Sequence, residues 1–316
     1  MHCHWSYARA RPRGRKSCAK RGTKGDCGRK LEKEPMSADS PRAGLDIFSL
    51  EGKVVLITGA MGLIGRDISA AFALAGADLV LADILPLDEI SATFGVLPGK
   101  TGTQVLSVSA DITDRDSVAS MTAGAVDRFG KIDVLVHLAA IDAKFDETAP
   151  EGTDGRFESF PIDLWRRSVD VNITGTFNVT QSICGQMLKQ GSGNIILTAS
   201  TYSLVGPNNA LYTPPAPDRP MVKPVDYVAT KSFVPNYTRY LATHYAKEGI
   251  RVNCIVPHGV ENKNPQWFKD NFATLSPLGR MSIASELNGP FIFLASDASS
   301  YMTGSSLVVD GGWTAW

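Results

Sequence analysis

Residues 54–65 read Val-Val-Leu-Ile-Thr-Gly-Ala-Met-Gly-Leu-Ile-Gly, and few folds accommodate such a stretch. Four consecutive apolar residues, Val54 to Ile57, predict a short strand buried on both faces. Gly59, Gly62 and Gly65 then fall within seven residues. Behind them Ile64, Ile68, Phe72 and Ala75 recur at helical spacing, and Gly76 stands where a helix would be capped. Strand, glycine turn and helix in that order make a dinucleotide cradle. The glycines permit a tight turn and close backbone approach, and the helix N-terminus aims its amides at a pyrophosphate. Leu63 and Ile64, between the last two glycines, are expected beside the same cofactor.

Leu79 to Ala82 reads as a second buried strand, and it ends on Asp83, eighteen residues past Gly65. A carboxylate there can accept both ribose hydroxyls of NAD while repelling the extra phosphate of NADP. Ile84, next in line, offers that phosphate no cation. The expected cofactor is therefore NAD and not NADP; the alternative is a solvent-facing aspartate at a strand end.

Zero net charge hides an asymmetry: residues 1–35 carry eleven Arg or Lys against three acids, and the remainder carries 21 against 29. The acidic folded part argues against a nucleic-acid partner. No apolar run reaches the roughly 18 residues that span a bilayer, so a soluble protein with no membrane partner is expected. The basic start has few apolar residues and no periodicity, and residues 1–45 are read as a disordered extension. It lacks the apolar segment of a secretory signal and is too poor in apolar residues for an amphipathic transit helix. Met36 opens Met-Ser-Ala-Asp-Ser-Pro, an ordinary N-terminus, so the preceding 35 residues are taken as an upstream extension without functional consequence. His2, Cys3 and His4 have no second ligand pair at zinc-site spacing, and no metal is expected. Outside the extension only Cys184 and Cys254 occur, read as buried thiols of a reducing compartment, the cytoplasm.

From residue 54 strand and helix patterns alternate without a break, which predicts one domain, residues 46–316. Further strands are expected at residues 104–108, 132–138, 194–197, 251–255 and 306–309, and helices at 114–129, 164–190, 227–247, 265–273 and 283–296. The fold class is α/β, a doubly wound parallel sheet (Rossmann fold) of about seven strands with helices on both faces. Two segments break the rhythm, residues 142–163 and the stretch 206–226 with its six prolines. Both follow strand ends and are expected to overhang the ligand cleft, or else to serve an oligomer contact.

Tyr227 and Lys231 lie one helical turn apart, so both point along one face. A phenol titrates near pH 10, and a neighbouring ammonium should lower that value enough for proton exchange near neutrality. Ser200 ends the fifth expected strand, and Asn172 lies in the preceding helix. With these residues in order, the chain resembles the short-chain dehydrogenase/reductase family from about Lys53 to Trp316, including the ending Val308-Val309-Asp310-Gly311-Gly312-Trp313. The resemblance implies hydride transfer between a secondary alcohol or ketone and a nicotinamide. It makes Tyr227 the acid/base, Ser200 the hydrogen-bond partner of the reacting oxygen, Lys231 the holder of the nicotinamide ribose and Asn172 the seat of a water leading to solvent. It also places Asp111 and Ile112, Ala139 and Val260 at the cofactor, along with Tyr227 and Lys231. The partner implied is a small-molecule substrate, and a homo-oligomer, tetramer or dimer, is implied through the helices after the fourth and fifth strands.

The chain departs from that pattern in several places. Its TGxxGxxG spacing is commoner in the extended branch, which acts largely on nucleotide sugars, whereas only 59 residues follow Pro257, as in the compact branch. His137-Leu138-Ala139-Ala140 replaces the family's Asn-Asn-Ala-Gly; His137 is read as structural, with a proton relay as the alternative. His258 is left between a substrate contact and a structural role. Ser200 and Tyr227 stand 27 residues apart because of the Pro-rich loop. That insertion, with Asp83, resembles a flagellin-modification and surface-sugar subgroup. The leading reading is an NAD-dependent oxidoreductase of a sugar-like, polyol or other small alcohol. The alternatives are a nucleotide-sugar epimerase or dehydratase, and a catalytically silent NAD-binding regulatory protein. Pro235, four residues after Lys231, predicts a bend or a helix that starts regularly only there.

Overall fold

The computed structural model describes residues 44–142, 156–215 and 222–316. Short apolar runs become seven strands: Val54–Thr58 (β1), Asp78–Asp83 (β2), Val105–Ser109 (β3), Val134–His137 (β4), Gly193–Thr198 (β5), Ile250–Pro257 (β6) and Ser306–Val309 (β7). All pair in parallel, in the order β3-β2-β1-β4-β5-β6-β7. The helices are Leu63–Leu74 (α1), Leu87–Phe94 (α2), Leu97–Thr101 (α3), Arg115–Phe129 (α4), Ile162–Val169 (α5), Thr176–Gln190 (α6), Val225–Tyr245 (α7), Gln266–Leu275 (α8) and Asn288–Ala295 (α9). This is the doubly wound α/β sheet the alternation predicts.

Alternate residues of β1 show how both faces are buried. Val54 and Leu56 join Val118, Met121, Ile183 and Val234 of α4, α6 and α7 in one core cluster. Val55 and Ile57 point the other way and meet Ile68, Phe72 and Phe291 of α1 and α9. The strand order reverses between β1 and β4, whose ends Thr58 and His137 are register partners. A crevice opens at that point, where ligands of such sheets gather.

Boundaries differ where local signals are weak. α2 and α3 fill the crossover before β3 and were not predicted; Pro86, Gly95, Pro98, Gly99 and Gly102 chop that stretch too finely for a helical period to show. The helix expected at 164–190 begins earlier, at Ile162, and carries a π-helical turn, Asp170–Gly175, between α5 and α6. The helix expected at 283–296 is a 3-10 turn, Ala284–Leu287, followed by α9. Within the extension expected at 1–45, residues 1–43 lie outside the described residues, and Gly44–Phe48 already form a 3-10 turn.

α7 runs unbroken from Val225 to Tyr245 with Pro235 inside it, so a helix that becomes regular only at Pro235 is overturned. Proline has no N–H to give the Lys231 carbonyl. Burial of Thr230, Lys231, Val234, Pro235, Thr238 and Leu241 along one face holds the helix despite that lost bond.

One buried amide ties the last strand in place. Asn253 on β6 is fully buried; its Nδ2 donates to the Met302 carbonyl at 2.9 Å and its Oδ1 accepts from the Ser305 amide at 3.0 Å. Truncation leaves the half-buried Ser305 amide without this partner, while the Met302 carbonyl keeps the Arg251 guanidinium at 2.9 Å. Asn253→Ala should lower the unfolding free energy by about 1–3 kcal/mol, which denaturant titration will measure.

Candidate functional site

The glycine turn is built on two close approaches of backbone. Gly59 sits at φ +70°, and a Cβ there would stand 2.7 Å from the Ala139 nitrogen. A Cβ on Gly65 would stand 2.3 Å from the Gly59 carbonyl oxygen. The turn therefore closes on the end of β4, with Ala139 beside it. Gly62 precedes α1 with no side-chain cap, which leaves the first amides of that helix without intrahelical or side-chain partners. Asp83 closes the far side: its Oδ2 accepts the Met61 amide at 2.9 Å and its Oδ1 the Leu85 amide at 3.3 Å. Open amides beside a carboxylate fit the pyrophosphate and ribose of a dinucleotide.

The end of β3 joins this group, since the Ala110 amide donates to the Asp83 carbonyl at 2.7 Å. Asp111 Oδ1 accepts from Thr113 N at 2.8 Å and from Thr113 Oγ1 at 2.7 Å, so that carboxylate shapes its own turn. Ile112 is buried against Gly175, where a Cβ would come within 2.7 Å of Ile112 Cδ1.

The four polar residues expected to act together gather at the ends of β4 and β5. Ser200 follows β5, and it lines the same cleft as Tyr227 in the first turn of α7. Lys231 Nζ donates to the Thr198 carbonyl at 2.8 Å and stands 5.9 Å from the centre of the Tyr227 ring. Asn172, in the π-helical turn, is a clamp: its Oδ1 accepts the Ile141 amide at 2.8 Å, and its Nδ2 donates to the Ile141 carbonyl at 2.9 Å and to Thr230 Oγ1 at 3.0 Å. That side chain thus joins the end of β4 to α7.

A cleft of about 830 Å³ runs from Leu63 and Ile64 of the glycine turn past Ser200 and Tyr227 to Tyr212 and Trp267. Val260, after β6, lines it too. Both long loops reach it, through Asp142 on one side and Leu211, Tyr212 and Lys223 on the other. Residues 143–155 and 216–221 of those loops lie outside the described residues.

Asp142 and Lys223 are the site residues that sequence reasoning missed. Lys223 Nζ donates to both Asp142 carboxylate oxygens at 2.6 Å and lies 4.1 Å from the centre of the Tyr227 ring. Residues 81 positions apart carry no spacing signal; only their place in loops expected over the cleft pointed to them.

The electrostatics correct one expectation. Burial, and then the Asp142 charge, push the Tyr227 phenol above its ordinary value, while the nearby Ser200 side chain acts the other way. The phenol is thus not made acidic by Lys231; desolvation outweighs the ammonium's influence. Lys231 is itself pushed down to about 8, chiefly by burial, with Lys223 adding to the shift and Asp142 opposing it.

Both histidines are held by threonine hydroxyls. His137 Nδ1 pairs with Thr58 Oγ1 at 2.8 Å and its Nε2 with Thr176 Oγ1 at 3.0 Å. The Thr176 hydroxyl gives its one proton to the Asn172 carbonyl at 2.7 Å, so Nε2 carries the imidazole hydrogen and Nδ1 accepts. Burial, and then Lys231, lower His137 to about 3. His258 Nδ1 pairs with Thr201 Oγ1 at 2.5 Å, and its ring packs 4.4 Å from Trp313 and 5.2 Å from Phe272, centre to centre. Its Nε2 is buried with no hydrogen-bond partner among the described residues, and His258 lines the cleft.

Comparison with known proteins fits this geometry. The short chain dehydrogenase family matches residues 53–214, and the family described as Enoyl-(Acyl carrier protein) reductase matches residues 218–314. The chain belongs to the short-chain dehydrogenases. It is 33% identical over 279 residues to the 2-dehydro-3-deoxy-D-gluconate 5-dehydrogenase of Dickeya dadantii, covering 86% of this chain and 99% of that protein. It is 35% identical over 269 residues to the 3-oxoacyl-[acyl-carrier-protein] reductase FabG of Thermotoga maritima, covering 83% and 98%. Among solved structures, NAD+-bound xylitol dehydrogenase superposes with a TM-score of 0.72 at 26% identity, covering 83% of this chain and 99% of that one. This short-chain dehydrogenase is accordingly an oxidoreductase.

Two outcomes follow from the site's construction. Gly65→Val should abolish dinucleotide binding in calorimetry, because its side chain must displace the Gly59 carbonyl. His137 and His258 are held neutral in the fold, at about 3 and about 4, against 6.5 unfolded. The unfolded chain thus binds more protons below pH 6.5, and stability should fall from there toward pH 4, by up to about 1.4 kcal/mol per pH unit for each histidine. Thermal melting across that range should show the fall, and His258→Gln should flatten it.

Proposed function

We propose that this short-chain dehydrogenase transfers a hydride between NAD and a secondary alcohol or ketone borne on a sugar, sugar acid or polyol. Tyr227 is the acid/base, Ser200 holds the reacting oxygen, Lys231 holds the nicotinamide ribose and Asn172 keeps Ile141 and Thr230 in register around them. The observation that carries this reading is the single cleft that Ser200 and Tyr227 line together with Leu63 and Ile64 of the glycine turn, with Lys231 Nζ 5.9 Å from the Tyr227 ring centre.

In oxidation, the ionised Tyr227 takes the alcohol proton while Ser200 donates to the oxygen as it becomes a carbonyl; in reduction Tyr227 returns the proton. NAD, when bound, supplies the carbon that accepts or releases the hydride. Gly59, Gly62, Leu63, Ile64 and Gly65 would hold the pyrophosphate, and Asp111, Ile112, Ala139 and Val260 would line the rest of the cofactor. NAD is favoured over NADP because Asp83 presents a carboxylate at the ribose position and Ile84 no cation.

Asn262, Lys263 and Asn264 share the cleft with Tyr212 and Trp267, a mixture of donors and aromatic faces suited to a polyhydroxylated molecule. The Dickeya dehydrogenase and xylitol dehydrogenase, by their names, act on such compounds. The resemblance to surface-sugar and flagellin-modification enzymes rests on Asp83 and the Pro-rich loop, and it points the same way. Exposed Phe177 and Leu188 on α6 and Tyr240 on α7 support a homo-oligomer formed through those helices. The free buried thiols Cys184 and Cys254 suit a reducing compartment such as the cytoplasm.

The test is a screen of NAD and NADP reduction over sugars, sugar acids, polyols and hydroxyacyl thioesters. Turnover with NAD and a polyhydroxylated alcohol is expected, and turnover confined to acyl thioesters would contradict the substrate class. Tyr227→Phe should cut kcat by about a thousandfold while NAD still binds. Because the phenol is raised in the fold, alcohol oxidation should speed up toward alkaline pH and ketone reduction toward acid pH. Asp83→Ala should weaken NAD binding by roughly tenfold or more and narrow the preference over NADP.

A further inference from the structure

We propose that the Lys223–Asp142 ion pair, lying against the ring of Tyr227, is a positioning device that governs how readily the Tyr227 hydroxyl exchanges its proton, Lys223 easing proton loss and Asp142 opposing it. The inference rests on Tyr227 being the acid/base.

The geometry is that of a built feature. Asp142 follows β4 by five residues, and Lys223 immediately precedes Pro224, which starts α7. The Lys223 side chain is 7% exposed, unusually dry for an ammonium. Its Nζ is shared between both Asp142 oxygens and the face of the Tyr227 ring, within the range of a cation–π contact. Lys231 Nζ lies 5.9 Å from the centre of that ring, so two ammonium groups stand near one phenol.

Among the described residues, the other groups around Tyr227 are hydroxyls, an imidazole and the Asp226 carboxylate. Ser200 and Tyr202 come from the end of β5 and Tyr212 from the turn Asn209–Tyr212. His258, after β6, meets the Tyr202 ring at 5.6 Å and is held neutral by burial. Asp226, next to Tyr227 in sequence, accepts a hydrogen bond from Ser168 on α5. Among the described residues, Lys223 and Lys231 stand over the Tyr227 ring, and Asp142 pairs with Lys223. Asp142 is among the causes that raise Tyr227, and both partners of the pair act, in opposite senses, on Lys231.

A pair that only tethers two loops would respond alike to the loss of either member. A pair that tunes the phenol responds with opposite signs. Removing Asp142 takes away a negative charge and leaves the Lys223 ammonium over the ring, which favours the phenolate. Removing Lys223 leaves Asp142 uncompensated and favours the phenol. Lys231 moves in the same direction in each case, so the coupled tyrosine–lysine titration keeps its sign.

The experiment records kcat/KM for alcohol oxidation against pH for the full chain, Asp142→Asn, Lys223→Met and the double variant. In parallel, tyrosinate absorbance of the NAD-loaded proteins is titrated with Tyr227→Phe as blank. Asp142→Asn should move the activity limb and the Tyr227 tyrosinate step down by about one pH unit, Lys223→Met should move both up by about one unit, and the double variant should return toward the parent. Lys223→Gln should repeat the upward shift, which separates charge from packing. Shifts in the same direction, or none, overturn the inference. Turnover that survives Tyr227→Phe defeats the acid/base reading itself, whereas Tyr227-dependent turnover with unmoved limbs defeats only the tuning role of the pair.

Discussion

An ammonium taken out of water is among the costliest groups a fold can hold, and the region around this cleft is arranged around one. Lys231 is 7% exposed and is pushed down to about 8 by that burial. Its Nζ rests on the Thr198 carbonyl, the last residue of β5, so the parallel register of the sheet fixes where the charge sits. α7 delivers it there by running straight through Pro235. A break at that proline would free the Lys231 carbonyl's neighbourhood but would also let the charge drift from the strand end.

The same helix is braced from the side. Thr230, one residue before Lys231, receives a hydrogen bond from Asn172, which also grips both backbone groups of Ile141 beyond β4. The π-helical turn Asp170–Gly175 offsets this stretch of helix so that Asn172 faces inward. From there a chain of neutral partners, Thr176, His137 and Thr58, leads back to the end of β1 and the glycine turn. The glycine turn and Asn172 are thus linked by hydrogen bonds through the sheet ends, without a charged relay.

Much of this was legible in the chain. Val54–Ile57, Leu79–Ala82 and residues 194–197 are apolar runs that only a doubly covered strand explains, and they appear within a residue or two of their expected bounds. Ser200 was legible as the residue closing an apolar run, Tyr227 and Lys231 as a pair one helical turn apart, and Asn172 through the family resemblance. The π-helical turn left no trace, since a helix and its one-residue offset share nearly the same apolar period. α2 and α3 were hidden among prolines and glycines. Lys223 and Asp142 were invisible for a different reason: their pairing is a product of topology, joining two loops that only the folded sheet brings together. The proton affinity of Tyr227 was misjudged because a sequence shows which charges are near in spacing but not how much water the fold removes.

The most direct test of this arrangement is a crystal structure of the protein with NAD. The account predicts the pyrophosphate at the turn of Gly59, Gly62 and Gly65, the adenosine ribose on Asp83, and the nicotinamide ribose within hydrogen-bond reach of Lys231 Nζ, with the ring opposite the Tyr227 hydroxyl. A nicotinamide bound away from Tyr227 and Ser200, with Lys231 making no contact to it, would contradict the account.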